Sequence, residues 1–130
     1  APYATLATQL NVAQAVTFAG PQKDLLAYFQ TAHGLVLCSS YEGFSMVLAE
    51  ALACGTPVVS YNCPSGPAEI IEEGENGYLI PQGHEAALAE GMHKVLTKTW
   101  DAAKLRASVQ RYHPAAVAQS YTQVLTALES

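Results

Sequence analysis

Short apolar runs rich in β-branched residues alternate along the chain with longer stretches whose apolar residues recur at helical spacing. Four runs carry the strand signature: AVTFAG at 15–20, GLVLCS at 34–39, PVVSY at 57–61 and GYLI at 77–80, each bounded by Gly, Pro, Asn or Ser. Between them, DLLAYFQTA places apolar residues at 25, 26, 28, 29 and 32, and SMVLAEALACG runs from a serine suited to capping to a glycine suited to stopping a helix. YATLATQL opens the chain in helical pattern. Further on, Leu88, Met92, Val95 and Leu96 form a one-sided stripe, and Val117, Tyr121, Val124, Leu125 and Leu128 form a second behind Pro114, a favoured helix starter. Such alternation predicts parallel strands joined by crossover helices. The fold class is α/β, with a Rossmann-like, doubly wound, mostly parallel sheet.

Composition narrows this picture. The chain has 130 residues and shows no repeat or Gly/Ser linker, so a single domain over 1–130 is expected. Half of it is apolar and 13% charged, the balance of a packed domain. The net charge of -5 argues against a nucleic-acid or anionic-membrane surface, since each favours a clustered basic patch. Basic residues are late (Lys94, Lys98, Lys104, Arg106 and Arg111), with only Lys23 before them. Cys38, Cys54 and Cys63 follow neither disulfide-framework nor zinc spacing, so no metal is expected. No run approaches the ~20 apolar residues of a membrane span, and the start lacks the plan of a signal peptide. A cytoplasmic location is expected. The abrupt helical opening also suggests that sequence precedes Ala1.

The stretch SSYEGFSMVLAEALACGTPVVS, residues 39–60, carries the candidate chemistry. In doubly wound sheets, ligands gather outside the carboxyl ends of the strands, where loops enter helix N-termini. SSYEGFS is such a loop. Amides at Phe44, Ser45, Met46 and Val47, reinforced by the helix dipole, suit a phosphate, and Gly43 permits close backbone approach. Glu50 lies among apolar neighbours all round its helix, which predicts burial, and a buried unpaired carboxylate costs several kcal/mol. Vicinal ribose hydroxyls would satisfy it. Glu42, on the loop, could accept from a sugar hydroxyl or stabilise positive charge at an anomeric carbon. The pair alone is more often a solvated loop residue plus a helix-edge residue, ACGTPVV alone is a helix stop and strand start, and CPSGPAEII alone is a rigid turn.

Taken together, VTFAG, DLLAYFQTAHGLVLCSSYEGFSMVLAEALACGTPVVSYNCPSGPAEII and ENGYLIPQG closely resemble the nucleotide-binding half of retaining GT-B glycosyltransferases, over residues 5–128. The most specific element is the pair of glutamates separated by seven residues and followed by EALACGTPVV. The resemblance implies a nucleotide-diphosphate sugar donor of UDP or GDP type. Glu42 would be the catalytic, donor-positioning residue. Gly43, Phe44 and Ser45 would face the sugar, Met46 and Val47 the diphosphate, Glu50 the ribose, and Pro21 and Gln22 the base. Relatives often have glycine where this chain has Ser45. No metal or other cofactor is implied, and CPSGPAEII is most like members that extend cell-surface glycans or teichoic acids. In the full-length protein the resemblance also admits the inner face of the membrane as a location.

Relatives hold an Arg and a Lys upstream of the VTFAG strand, and a second, acceptor-binding domain. Neither is in this chain, so the resemblance implies a C-terminal fragment lacking its first two strands and inactive alone. It implies an open sheet edge prone to self-association. The rival readings are a nucleotide-sugar epimerase of the same architecture, whose histidines should approach the sugar, and a non-catalytic nucleotide-sugar-binding module.

Overall fold

The computed structural model describes residues 2–20, 25–38, 46–63 and 66–110. Three of the four sequence-predicted strands form a parallel sheet in the order β1 (Leu35–Leu37), β2 (Val58–Tyr61), β3 (Gly77–Ile80). Leu35 is opposite Val58, and Val58 opposite Gly77, so the strands run in step. β2 is central and buried at all four positions, which is why it reads as a continuous β-branched run rather than an alternating one.

Helices cover both faces. On one lie α2 (Leu26–Thr31), α3 (Met46–Ala53), the single turn α4 (Pro67–Ile70) and α6 (Ala102–Ala107). Their core joins Phe29, Leu48, Leu52, Val58, Ile70 and Leu105. On the other lies α5 (Glu85–Thr97), whose Val95 closes a second core with Val59, Tyr61 and Ile80. The alternation Val58 inward to α3, Val59 inward to α5 is the period-two geometry of a strand buried on both sides. Gly91 allows α5 to approach: a Cβ there would lie 3.1 Å from Ile80 and 3.2 Å from Val59.

The ACGTP sequence ends α3 as predicted. Gly55 has φ +82°, its N–H donates to Leu52 O at 2.9 Å, and the Thr56 N–H donates to Ala51 O at 2.9 Å. That pair of bonds is the Schellman arrangement, which satisfies carbonyls the helix leaves open. The buried Thr56 hydroxyl donates to the Phe29 carbonyl, tying this turn to α2.

Asn76 closes the connection between β2 and β3. Only 1% exposed, it accepts from the Glu72 N–H at 2.8 Å and donates to Ile70 O at 3.0 Å and to Ser108 Oγ at 3.1 Å, so it ties the strand entry to the end of α6. Asn76→Ala would strand buried donors and acceptors together, a loss of about 2–4 kcal/mol. Urea unfolding should show a lower midpoint at unchanged slope. A loss under ~1 kcal/mol would mean that these bonds are replaced on mutation.

One expectation is corrected, and one element is added. AVTFAG is not a strand: Ala13–Ala15 form a 3-10 turn, and residues 16–20 pair with no described strand, leaving Phe18 57% exposed. A strand requires a neighbour for its backbone groups, and β1 offers its outer edge without this segment reaching it. α6 was not anticipated, because AAKLRA shows no apolar period; it is fixed by Asp101, whose carboxylate caps the Ala103 and Lys104 amides at 3.0 and 3.4 Å, and by burial of Leu105. The opening helix, α1 (Pro2–Gln9), matches the helical reading of YATLATQL. The stripe behind Pro114 lies outside the described residues.

The two sheet edges differ. On β3, the Glu73 carboxylate accepts from the Leu79 N–H at 2.9 Å, covering a backbone donor. β1 pairs on its outer side with no described strand.

Candidate functional site

α3 follows β1, so its N-terminal turn stands at the carboxyl end of the parallel sheet, where this architecture binds ligands. Its faces separate cleanly. Leu48, Ala49, Ala51 and Leu52 are buried, whereas Met46, Val47, Glu50, Ala53 and Cys54 are half-buried and share the opposite side. Glu50 is central to that open side, one turn below Met46. The first-turn amides, including those of Met46 and Val47, have no acceptor within the helix.

The predicted full burial of Glu50 is therefore corrected to partial burial. An apolar sequence all round α3 suggested enclosure, but only Leu48, Ala49, Ala51 and Leu52 are fully buried; Val47, Ala53 and Cys54 flank the core while half-buried, and Glu50 between them is half-buried too. Among the described residues no hydrogen bond or ion pair engages it. Its charge is felt by Cys54, one turn on: burial first, and then the Glu50 carboxylate, push the Cys54 thiol up from its ordinary value.

Positive charge lies elsewhere. Lys98 donates to the Gly74 carbonyl and stands 4.5 Å from the Trp100 ring centroid, and Lys94 stands 5.4 Å from that of Tyr78. Arg106 Nη1 is 3.1 Å from where a Cβ of Gly55 would be, at the C-terminal end of α3, where a cation complements the dipole. The described cations thus cluster away from the α3 N-terminus. Sequence reading did not single out Cys54 or Arg106; the i+4 spacing from Glu50 was the available signal for the first, and nothing local marked the second.

Of the predicted site residues, Met46, Val47 and Glu50 are brought together on one helix side. Glu42, Gly43, Phe44, Ser45, Pro21 and Gln22 lie outside the described residues. Among the described residues, no group of three or more His, Cys, Asp or Glu is placed to hold a metal ion, and no helix is long and apolar enough to cross a membrane.

The sequence model of the family Glycosyl transferases group 1 matches residues 1–114. The chain belongs to the group 1 glycosyltransferases. This group 1 glycosyltransferase chain is 35% identical over 92 residues to the lipopolysaccharide 1,6-galactosyltransferase of Escherichia coli, an alignment covering 68% of the chain and 26% of the relative. It superposes on sucrose-phosphate synthase from Thermosynechococcus elongatus with a TM-score of 0.69 and 32% identity, covering 96% of the chain and 34% of that structure. It superposes on Anabaena Alr3699/HepE in complex with UDP with a TM-score of 0.73 and 25% identity, covering 97% and 36%. The chain therefore spans about a quarter to a third of the length of these relatives. Their GT-B architecture accords with the Rossmann-like sheet described above.

Proposed function

We propose that this group 1 glycosyltransferase chain is the donor-binding, C-terminal domain of a retaining enzyme. It would take a sugar from a nucleotide diphosphate and pass it to an acceptor in cell-surface polysaccharide synthesis, in the cytoplasm. The observation that carries the reading is the open side of α3: first-turn amides at Met46 and Val47 above a half-buried Glu50 that no described residue engages. Amides at a helix head suit a diphosphate, and a carboxylate one turn below suits the ribose hydroxyls of the same nucleotide. The name of the UDP-bound neighbour supports a nucleotide donor.

Glu42, with Gly43, Phe44 and Ser45, would hold the sugar, and Pro21 and Gln22 the base. In the transfer, the anomeric carbon–phosphate oxygen bond breaks through an oxocarbenium-like state while the acceptor oxygen bonds that carbon. The acceptor proton passes to the departing phosphate oxygen. Glu42 contributes by positioning and by electrostatic stabilisation. No metal is needed, because helix amides and cations offset the diphosphate; as relatives hold an Arg and a Lys upstream of the segment matching VTFAG, those cations would come from that part of a longer protein. The 130-residue chain alone would then be inactive, and the free edge of β1 would favour self-association.

Calorimetry of the full-length gene product against UDP- and GDP-sugars tests this reading. One nucleotide series should bind, and Glu42→Ala should leave the nucleoside diphosphate affinity within about twofold while removing preference among sugars. Absence of binding by every nucleotide sugar would sink the proposal.

A further inference from the structure

β2 ends in Tyr61, a residue only 7% exposed, on the face opposite α3. The path of α5 is fixed by close approach: Val95 lies against Gly34, near the start of β1, and Gly91 lies against Val59 and Ile80. Following the helix back from Gly91 brings its first turn, from Glu85, over the carboxyl end of β2 beside Tyr61. One step beyond the Leu37–Ser60 pair, Cys38 of the β1 exit adjoins Tyr61. Burial first, then the charges of Glu85 and Cys38, push the phenol up from its ordinary value, which keeps it a protonated donor.

Among the described residues the Tyr61 hydroxyl has no hydrogen-bond partner, although the hydroxyls of largely buried tyrosines ordinarily do. The head of α5 is equally open. His84 occupies the cap position without a side-chain cap, and the first N–H to find a helical acceptor is that of Leu88, on His84 O at 3.0 Å. The amides of Glu85, Ala86 and Ala87 thus precede the helical ladder.

We propose that the Tyr61 hydroxyl, the Glu85 carboxylate and the open amides of α5 form a subsite for adjacent hydroxyls of a carbohydrate. The chemistry selects the ligand class. Phenol and amides donate while the carboxylate accepts, and a vicinal diol both gives and takes hydrogen bonds without charge; a phosphate would bring its negative charge against that of Glu85. The subsite lies on the α5 face, whereas Glu50 lies on α3 across the sheet, so it holds a different part of the carbohydrate from the donor nucleotide. The choice of a carbohydrate ligand rests on the glycosyltransferase reading.

Amide-resolved NMR of the whole chain, titrated with methyl α-D-glucopyranoside, tests the subsite. Glu85, Ala86 and Ala87 should shift, and Tyr61→Phe, which keeps the ring in its core, should weaken the response about tenfold. Inorganic phosphate should leave those amides unmoved. Absence of a response to the glycoside, an equal response in Tyr61→Phe, or a response to phosphate in its place would overturn the subsite. UDP titration of the same sample, read at the Met46 and Val47 amides, tests the glycosyltransferase reading separately, and Tyr61→Phe should not alter it.

Discussion

Gly77→Ala is expected to cost at least about 3 kcal/mol, a large share of the ~5–15 kcal/mol that holds a domain folded. A Cβ at this position would lie 2.1 Å from the Val58 carbonyl oxygen and 2.8 Å from Val58 Cγ2. The first contact is with backbone, so no side-chain rotation relieves it, and β3 must move away from β2 at the point where Val58 and Gly77 are paired. Ordinarily alanine in a strand is better than glycine by about 0.5–1 kcal/mol, so the sign of the change itself reports the clash. Two other glycines calibrate it. A Cβ at Gly34 would meet Val95 Cγ1 at 2.7 Å, a side-chain atom that can shift, and at Gly83, with φ +81°, it would meet nothing within 4 Å and face backbone strain alone. Thermal unfolding should rank the alanine variants Gly77 as most destabilised, with a midpoint lower by about 10 °C or more, ahead of Gly34 and Gly83. A Gly77 variant no worse than the Gly83 variant would contradict the packing of β3 on β2.

What the chain discloses before folding follows from how local each signal is. GLVLCS, PVVSY and GYLI are strands because their β-branched runs also find partners, and ACGTP ends α3 through backbone bonds that span five residues. AVTFAG has the same composition without a neighbour, and pairing is a property of two segments that no single run encodes. The opposite error arises at α6, where Asp101 supplies a sound cap but burial of Leu105 and Val109 against α3 is decided by tertiary packing. Glu50 shows the limit for a site. Its sequence neighbours are apolar, yet apolar neighbours on one helix do not say which sides another element covers. The residues on α3 could be placed on one face from spacing alone; the partial exposure of that face, and the unpartnered hydroxyl of the largely buried Tyr61 across the sheet, could not.

That openness makes Glu50→Ala the sharpest functional variant, because its effects on binding and on folding should have opposite signs. If Glu50 accepts from two ribose hydroxyls, its loss in the full-length protein removes charge-assisted bonds worth about 1.5–3 kcal/mol, and affinity for the favoured nucleoside diphosphate should fall about 10- to 100-fold. The 2′,3′-dideoxy nucleotide should bind wild type and variant alike, since it has no hydroxyls to lose, and this comparison separates ribose recognition from a general disturbance of α3. Stability should hold or rise slightly: no described residue engages the carboxylate, and alanine is the stronger helix former. The Cys54 thiol should also become easier to ionise, because the Glu50 charge is one of the two influences raising it, though burial, the larger, remains. Faster alkylation of Cys54 at mildly alkaline pH, with an unchanged unfolding midpoint, would show that only the charge was removed. Equal loss of affinity for the ribose and dideoxy nucleotides would instead assign Glu50 to the shape of α3 and take the ribose contact away from it.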